Sequence, residues 1–345
     1  KGCDGLAQAD TGAVDPRLCA LAGWSCPEPP TPEPPADAVP AHPILLVGGI
    51  DASAVFDWNP RIAAELRAAG ATVHHLEVLP WATTPERAAD LWRSIAGWRS
   101  RYGTKLNLVC YAVGGIDCRY VASPKGLFAG DAKKRAEIED AIASITTIAT
   151  PHRGTRVAEA ALSILKSGTT DDLIAALVGA DVEVPDDAAM IATLAGLTPE
   201  AMAAFNRTIT DAEGIVYQSW AGTSHVLARS SNATERAIHE SCADDDGNVV
   251  LFRHEGAVDA AHPILFLTFP FSGTSLGDDG RVVSSPSDGM VSVASAKWGT
   301  FRGCLPADHY DVIGQIGHTT RDPLTGFDAP RFYRWLAADL AARGL

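Results

Sequence analysis

Residues 107–115 read Asn-Leu-Val-Cys-Tyr-Ala-Val-Gly-Gly. The apolar run before position 112 is typical of a strand buried on both faces, and the glycines after it allow a sharp turn into a helix. A nucleophile elbow has this strand–turn–helix layout and the pattern Gly-x-Ser-x-Gly. Here Cys110 stands in place of the first glycine, and Ala112 stands in place of the serine. The stretch therefore predicts an elbow that lacks its nucleophile.

Strand and helix patterns alternate on both sides of this elbow. Continuous apolar runs predict strands, and apolar stripes at helical spacing predict helices. The predicted strands cover residues 44–47, 71–78, 106–110, 142–149 and 215–221, and the predicted helices include residues 61–69 and 332–341. A further helix has Thr84 as its predicted N-cap and Pro85 at its first position. This alternation predicts an α/β fold whose central sheet is mostly parallel, with helices on both faces.

Composition divides the chain into three parts. Residues 1–26 form a cysteine-bearing N-terminal segment, and residues 27–43 contain eight prolines. Proline removes backbone donors and favours extended geometry, so this second part is predicted to be a stiff linker. Residues 44–345 form the main domain, interrupted at about residues 156–204 by a helical insertion rich in alanine and leucine.

Charge and hydropathy exclude two classes of partner. The 345 residues carry a formal net charge of −14. An acidic surface does not attract phosphate backbones, so we expect no nucleic-acid binding. Because no run of about 18 apolar residues is present, we also expect no membrane span.

The number of cysteines indicates the cellular compartment of the protein. Seven cysteines favour an oxidising environment, and we expect a secreted or extracellular protein. No signal peptide is visible, and the first residue is Lys1, which indicates a processed N-terminus. Cys3 follows a glycine, and a lipoprotein anchored through it is one hypothesis. Cys110 and Cys118 stand in apolar surroundings and are interpreted as buried thiols.

Several motifs, in the correct order along the chain, resemble those of the true bacterial lipases of the Pseudomonas and Burkholderia type, within the α/β-hydrolase superfamily. The matching segments are residues 42–49, 106–123, 145–155, 205–206, 217–222, 287–292 and 308–315. The resemblance implies an α/β-hydrolase fold with a helical lid at about residues 156–204. The family's cysteine after the triad acid is absent, and Cys242 and Cys304 are candidates for a substitute bridge.

The resemblance also assigns three catalytic positions. Ala112 occupies the nucleophile position, Asp288 is the orienting acid, and His309 is the base. The order nucleophile, acid and histidine is that of this superfamily. Asp279 also precedes a glycine and is the alternative acid, although many such pairs are ordinary turns. Cys110 is an alternative nucleophile, although it lies two residues before the apex.

Alanine at the nucleophile position limits the chemistry. A methyl group cannot lose a proton or attack a carbonyl, so the chain as written should not form an acyl-enzyme. With a serine at Ala112, the implied function is hydrolysis of hydrophobic carboxylic esters through a Ser-His-Asp triad. We favour a deliberate replacement of that serine, since the rest of the machinery is intact. The alternatives are a natural lipid- or ester-binding pseudoenzyme, and an acyltransferase or polyester depolymerase of the same fold.

Two further sites follow from the resemblance. The backbone N–H groups of Ile50 and Val113 are expected to bind the developing oxyanion. A structural Ca²⁺ is expected beside the catalytic histidine, because the family places oxygen ligands at the spacing found there. The expected ligands are Asp259, Asp311, Gln315 and the carbonyl of Thr319.

The lid suggests how substrate arrives. A mobile amphipathic lid would cover an acyl pocket in water and open during transient contact with a lipid interface. The alternative is an ordinary helical insertion packed on the core. The expected partner is a hydrophobic ester or lipid substrate. The resemblance is also compatible with a chaperone that assists folding.

Overall fold

A computed structural model describes residues 34–35, 38–51, 56–167, 187–226, 232–243, 245, 258–276, 281–315, 322 and 325–345. The predicted N-terminal segment, most of the linker, residues 168–186 of the insertion, Asp279 and Thr319 lie outside these residues. The division into a segment, a linker and a main domain therefore stays a prediction.

The described residues form ten strands and eleven α-helices. The strands are β1 Ile44–Val47, β2 Val73–Leu76, β3 Leu106–Tyr111, β4 Ile142–Ile148, β5 Val216–Gly222, β6 Ser224–His225, β7 Asp259–Ala260, β8 Thr274–Leu276, β9 Val282–Ser284 and β10 Thr300–Leu305. The helices are α1 Pro60–Ala68, α2 Thr84–Tyr102, α3 Val113–Ala122, α4 Ala132–Ala141, α5 Arg156–Ser167, α6 Asp187–Gly196, α7 Pro199–Thr208, α8 Asn232–Ser241, α9 Phe269–Ser272, α10 Val293–Ala296 and α11 Ala329–Ala342.

Six of the strands form one parallel sheet in the order β10-β5-β4-β3-β1-β2. The register pairs Val47 of β1 with Cys110 of β3, and Tyr111 of β3 with Ile148 of β4. Because the strands run in one direction, the loops that follow β1, β3 and β4 meet at one edge. The predicted α/β architecture with a mostly parallel sheet is confirmed.

Each face of the sheet has its own hydrophobic core. Successive side chains of a strand point to opposite faces, so Leu46 and Leu45 of β1 lie in different cores. The first core includes residues of α1 and α11, and the second includes residues of α2 and α4. Helices therefore cover both faces, as predicted, and a strand buried on both sides has the continuous apolar sequence that revealed it.

The sequence-based interpretation of Cys110 and Cys118 as thiols was wrong. The two residues form a disulfide, with Cα atoms 6.8 Å apart. The chain reverses direction between the end of β3 and the second turn of α3, and this brings two buried sulfurs together. The same bond excludes Cys110 as a stand-in nucleophile. The bridge expected between Cys242 and Cys304 is confirmed.

One predicted helix cap was wrong, and one strand was missed. The N-cap of α2 is Thr83 and not Thr84, since the Thr83 backbone N–H donates to the Glu86 carboxylate at 3.0 Å. Strand β10 had not been predicted at all, although it closes one edge of the sheet.

Within the described part, no single helix is long and apolar enough to cross a membrane. The pair Ala188–Gly196 and Pro199–Thr208 passes that test only together, bent by 66°.

Candidate active site

The elbow has the geometry that its sequence predicts. Ala112 lies at the apex between β3 and α3, with a φ of 46°, a backbone conformation that non-glycine residues rarely adopt. Its backbone N–H donates to the Ile148 carbonyl of the neighbouring strand at 2.9 Å. The apex is therefore held against the sheet, and the side chain at this position faces the pocket described below.

The two glycines after the apex let backbones approach one another. A Cβ added at Gly114 would lie 2.2 Å from the Gly48 carbonyl oxygen, and one at Gly115 would lie 2.1 Å from Thr150 Oγ1. No side chain fits at either distance. The first turn of α3 is consequently packed directly against the loop that follows β1.

His309 and Asp288 form a buried pair. Nδ1 of His309 lies 2.7 Å from Oδ2 of Asp288, and the two residues are 3% and 0% exposed. The other carboxylate oxygen accepts the backbone N–H groups of Met290 and Val291 at 2.9 and 2.7 Å. The carboxylate is therefore fixed by its own turn, and it can orient the imidazole.

A second contact positions the histidine. The Tyr111 hydroxyl donates to the His309 backbone carbonyl at 2.8 Å. Burial raises the pKa of this tyrosine well above its ordinary value, so the phenol keeps its proton and remains a donor. Since Tyr111 immediately precedes the apex, this bond links the nucleophile position directly to the histidine loop.

The two predicted oxyanion donors lie on facing elements. Val113 is the first residue of α3, and Ile50 lies on the loop after β1. Arg87 of α2 holds this loop: its guanidinium donates to the carbonyls of Gly49 at 2.6 Å and Ile50 at 3.0 Å. The same guanidinium donates to Asp117 of α3 at 2.8 Å. Arg87 thus ties the loop to the elbow helix.

These groups surround one apolar pocket with an empty volume of about 560 Å³, partly open to solvent. Ala112, His309, Ile50 and Val113 all line it. The remaining lining residues are nearly all apolar: Phe56, Trp81, Pro151, Thr155, Val157, Ala158, Leu194, Leu197, Met290 and Val291. The pocket can therefore hold an apolar chain next to position 112.

Part of the predicted lid borders this pocket. Val157 and Ala158 belong to α5, while Leu194 belongs to α6. Residues 168–186 of the predicted lid lie outside the described residues.

A cluster of carboxylates lies beside the histidine. Oxygen atoms of Asp259, Asp308 and Asp311 lie within 4.8 Å of one another. In the described part of the chain, the buried Asp259 Oδ2 has no hydrogen-bond partner. Burial and then the neighbouring carboxylates raise the pKa of Asp259, and the same causes raise the pKa of Asp311 to about 9. Such a group of acids is suited to a cation.

Two of the predicted metal ligands, Asp259 and Asp311, belong to this cluster. The side-chain amide nitrogen of Gln315 donates to the Asp57 carbonyl. Asp308 was not predicted. Its position directly before the histidine was the available signal, and its carboxylate accepts the backbone N–H groups of Tyr310 and Asp311 at 2.8 and 2.9 Å. Arg87 and Tyr111 were missed as well, because nothing local distinguishes them from other core residues.

Proteins similar in sequence to this chain include bacterial triacylglycerol lipases. No protein-family model matches the chain. A triacylglycerol lipase of Vibrio cholerae is 26% identical over 213 residues, which cover 54% of this chain and 64% of that protein. A triacylglycerol lipase of Burkholderia plantarii is 25% identical over 323 residues, covering 83% of this chain and 84% of that protein.

Solved structures share the fold. The Staphylococcus hyicus lipase superposes with a TM-score of 0.52 at 18% identity, covering 92% of this chain and 98% of that one. The mature Bacillus licheniformis lipase gives a TM-score of 0.51 at 17% identity, covering 83% and 91%. The chain therefore has the α/β-hydrolase fold. Within that class, it is related in sequence to bacterial triacylglycerol lipases.

Proposed function

We propose that this chain is built as a carboxylic ester hydrolase of lipase type, with Ala112 at the position of its serine nucleophile. The observation that carries the proposal is a buried Asp288–His309 pair whose histidine lines the same apolar pocket as position 112. The sequence relationship to triacylglycerol lipases supports a hydrophobic ester as substrate.

The serine form would work in two steps. The serine oxygen attacks the ester carbonyl while His309 takes its proton, and the N–H groups of Ile50 and Val113 stabilise the oxyanion. His309 then donates that proton to the leaving alcohol, which leaves an acyl-enzyme. A water molecule, deprotonated by the same imidazole, hydrolyses the acyl-enzyme and restores the serine. Asp288 keeps the imidazole in one tautomer throughout.

The chain with alanine can bind an ester but cannot form the acyl-enzyme. Ala112 is also the observation that favours the second candidate, a non-catalytic lipid-binding protein. In both cases the apolar pocket is the binding site, and helices α5 and α6 on its border would open at a lipid interface.

Restoring the nucleophile tests the proposal. The Ala112→Ser variant should hydrolyse p-nitrophenyl esters of short or long acyl chains at rates at least 100-fold above the unchanged chain. The variant Ala112→Ser/His309→Gln is the matched control, and it should return to the background rate. No turnover of any ester by the serine form would contradict the hydrolase and favour the binding protein.

We also propose a structural Ca²⁺ held by Asp259 and Asp311, with Gln315 and Thr319 as further ligands and Asp308 adjacent. The orphaned Asp259 oxygen and the three crowded carboxylates fit a hard, oxygen-binding cation. Such an ion would neutralise the cluster and hold the loop that carries His309.

Chelation tests the calcium site. EDTA should lower the melting temperature by roughly 3–8 °C, and added Ca²⁺ should restore it, because an ion bound only by the folded state stabilises it. Asp259→Asn should abolish this response, whereas Asp90→Asn, at a partly exposed acid of α2, should keep it. An EDTA-insensitive melting temperature, with no ion found by elemental analysis, would refute the site.

The two disulfides support an oxidising compartment, and we propose that the protein acts outside the cytoplasm.

A further inference from the structure

The Cys110–Cys118 disulfide encloses the apex of the elbow. Cys110 is the penultimate residue of β3, and Cys118 lies in the second turn of α3. Both side chains are completely buried. The bond therefore closes a covalent ring of nine residues around the nucleophile position and the predicted oxyanion donor Val113.

The backbone inside this ring needs external support. Ala112 has a positive φ, which an L-residue adopts only where the surroundings impose it. At the apex, the Ala112 N–H donates to the Ile148 carbonyl, and the Gly115 N–H donates to the Ala112 carbonyl at 3.1 Å. Neither bond fixes the axis of α3 relative to β3.

The axis of α3 matters because its first turn forms the predicted oxyanion site. Gly114 packs against the Gly48 carbonyl without space for a Cβ, so a small tilt of the helix changes the gap between Val113 and Ile50. Catalysis depends on such distances to a fraction of an ångström. A covalent tie from the second turn of α3 to the strand would suppress this tilt.

We propose that the Cys110–Cys118 disulfide is a positioning element of the active site, which sets the orientation of the nucleophile and of the Val113 N–H. It accounts for the departure of the elbow from Gly-x-Ser-x-Gly, since a glycine at position 110 could not form the bond. The kinetic part of this inference rests on the proposed ester hydrolysis, and the backbone part does not.

The chain offers a matched control in its second buried disulfide. Cys242–Cys304 links the end of α8 to β10 and borders neither the elbow nor the pocket. The test compares Cys110→Ala/Cys118→Val with Cys242→Ala/Cys304→Val, each in the Ala112→Ser full-length chain. Both pairs remove one disulfide from a core, so a general loss of stability affects both.

Kinetics on a p-nitrophenyl ester give the first readout. Loss of the elbow disulfide should lower kcat about 10- to 100-fold and change KM less than twofold, while the control pair keeps both within about twofold. An unchanged kcat, or an equal fall in both pairs, would overturn the proposal. If the elbow pair does not fold by circular dichroism, Cys118→Ala alone replaces it, because that variant breaks the same bond and keeps the Cys110 sulfur in the core.

Amide hydrogen exchange gives a readout that needs no activity. In the chain with Ala112 unchanged, the buried amides of Ala112 and Gly115 should exchange at least tenfold faster without the elbow disulfide, and at the original rate in the control pair. Equal exchange in the two pairs would overturn the proposal even if the kinetics agreed. A serine form without turnover would instead contradict the proposed function and leave this measurement valid.

Discussion

Single side chains carry most of the positioning in this site, and Tyr111 is the clearest case. Its hydroxyl donates to the backbone carbonyl of His309, and its ring lies 5.1 Å from the imidazole, centroid to centroid. A buried carbonyl that loses its donor costs about 1–3 kcal/mol, and it also loses its fixed position. The hydrogen bond to His309 therefore explains why a tyrosine stands at position 111.

Tyr111→Phe removes only this donor. In the Ala112→Ser chain it should lower kcat about tenfold with an unchanged KM, since one buried hydrogen bond of roughly 1.4 kcal/mol corresponds to that factor. Tyr102→Phe is the matched control, because the Tyr102 hydroxyl contacts His74 away from the pocket. Equal rates for the two variants in steady-state kinetics would contradict a positioning role.

His152 gives a prediction about pH. It is fully buried, its Nδ1 accepts from Arg119 at 3.2 Å, and its Nε2 lies 2.9 Å from the Thr147 hydroxyl. Burial, followed by the charges of Arg119 and Arg153, lowers its pKa well below the ordinary value. The folded protein therefore keeps this imidazole neutral, whereas the unfolded chain takes up a proton near pH 6.5.

It follows that the free energy of unfolding should fall as the pH drops below about 6.5, by up to about 1.4 kcal/mol per pH unit from this group. His152→Gln retains a donor and an acceptor but cannot titrate, so its unfolding free energy should fall less steeply between pH 6.5 and 5. Urea denaturation at several pH values measures the difference. Parallel curves for the two proteins would show that His152 makes no such contribution.

At the scale of elements, the elbow helix α3 is tied to its neighbour α2 by a buried ion pair. Arg87 and Asp117 are both 0% exposed, and two atoms of the guanidinium lie 2.8 Å from the carboxylate. A pair of this kind is costly to break, since the remaining charge stays buried without compensation. It therefore links the two helices, and the other hydrogen bonds of Arg87 link them to the loop after β1.

Arg87→Met should lower the free energy of unfolding by about 3–5 kcal/mol, because it leaves Asp117 alone in the core. Burial raises the pKa of the Asp117 carboxyl, and the charge and hydrogen bond of Arg87 lower it in part. The double variant Arg87→Met/Asp117→Leu should recover much of that loss, since no buried charge remains. Denaturation in urea compares the three proteins. A double variant less stable than Arg87→Met would contradict this account.

The unpredicted strand β10 shows why element prediction fails locally. Its sequence, Thr-Phe-Arg-Gly-Cys-Leu, contains an arginine and a glycine that interrupt the apolar run. Its register with β5 shifts between Phe301 and Cys304, and Gly303 has a φ of 119°. A bulge of this kind breaks the alternation on which strand recognition depends.

For the whole molecule, net charge is the property that decides approach to a surface. With a formal charge of −14, the protein is repelled electrostatically by an anionic lipid surface, whereas a neutral surface exerts no such repulsion. Salt weakens this repulsion, because the Debye length falls from about 30 Å at 0.01 M to about 8 Å at 0.15 M.

Vesicle flotation of the unchanged chain tests this expectation, which rests on the proposed lipid contact. Binding to phosphatidylglycerol vesicles should be weaker than binding to phosphatidylcholine vesicles at 0.01 M salt, and it should rise several-fold at 0.15 M salt. Binding to phosphatidylcholine should not depend on salt. Stronger binding to the anionic vesicles at low salt would contradict it.

The fold class and the elbow could be predicted because their information is local. An apolar run buried on both faces and a turn marked by Gly114 and Gly115 are each set by neighbouring residues and by steric rules that hold in any chain. The roles of Asp288 and His309 were assigned from motif order, and their 2.7 Å contact joins residues 21 apart in sequence.

Long-range contacts were beyond the reach of such patterns. The Arg87 contacts to the loop after β1 and the third carboxylate of the acidic cluster depend on how the strands order themselves in the sheet. The disulfide around the apex joins residues only eight apart, and it depends on how the chain turns from β3 into α3. Strand order places the ends of β1, β3 and β4 side by side, and hundreds of weak packing contacts set it together. A sequence motif of a few residues does not contain this information, so these long-range contacts could be identified only in the folded structure.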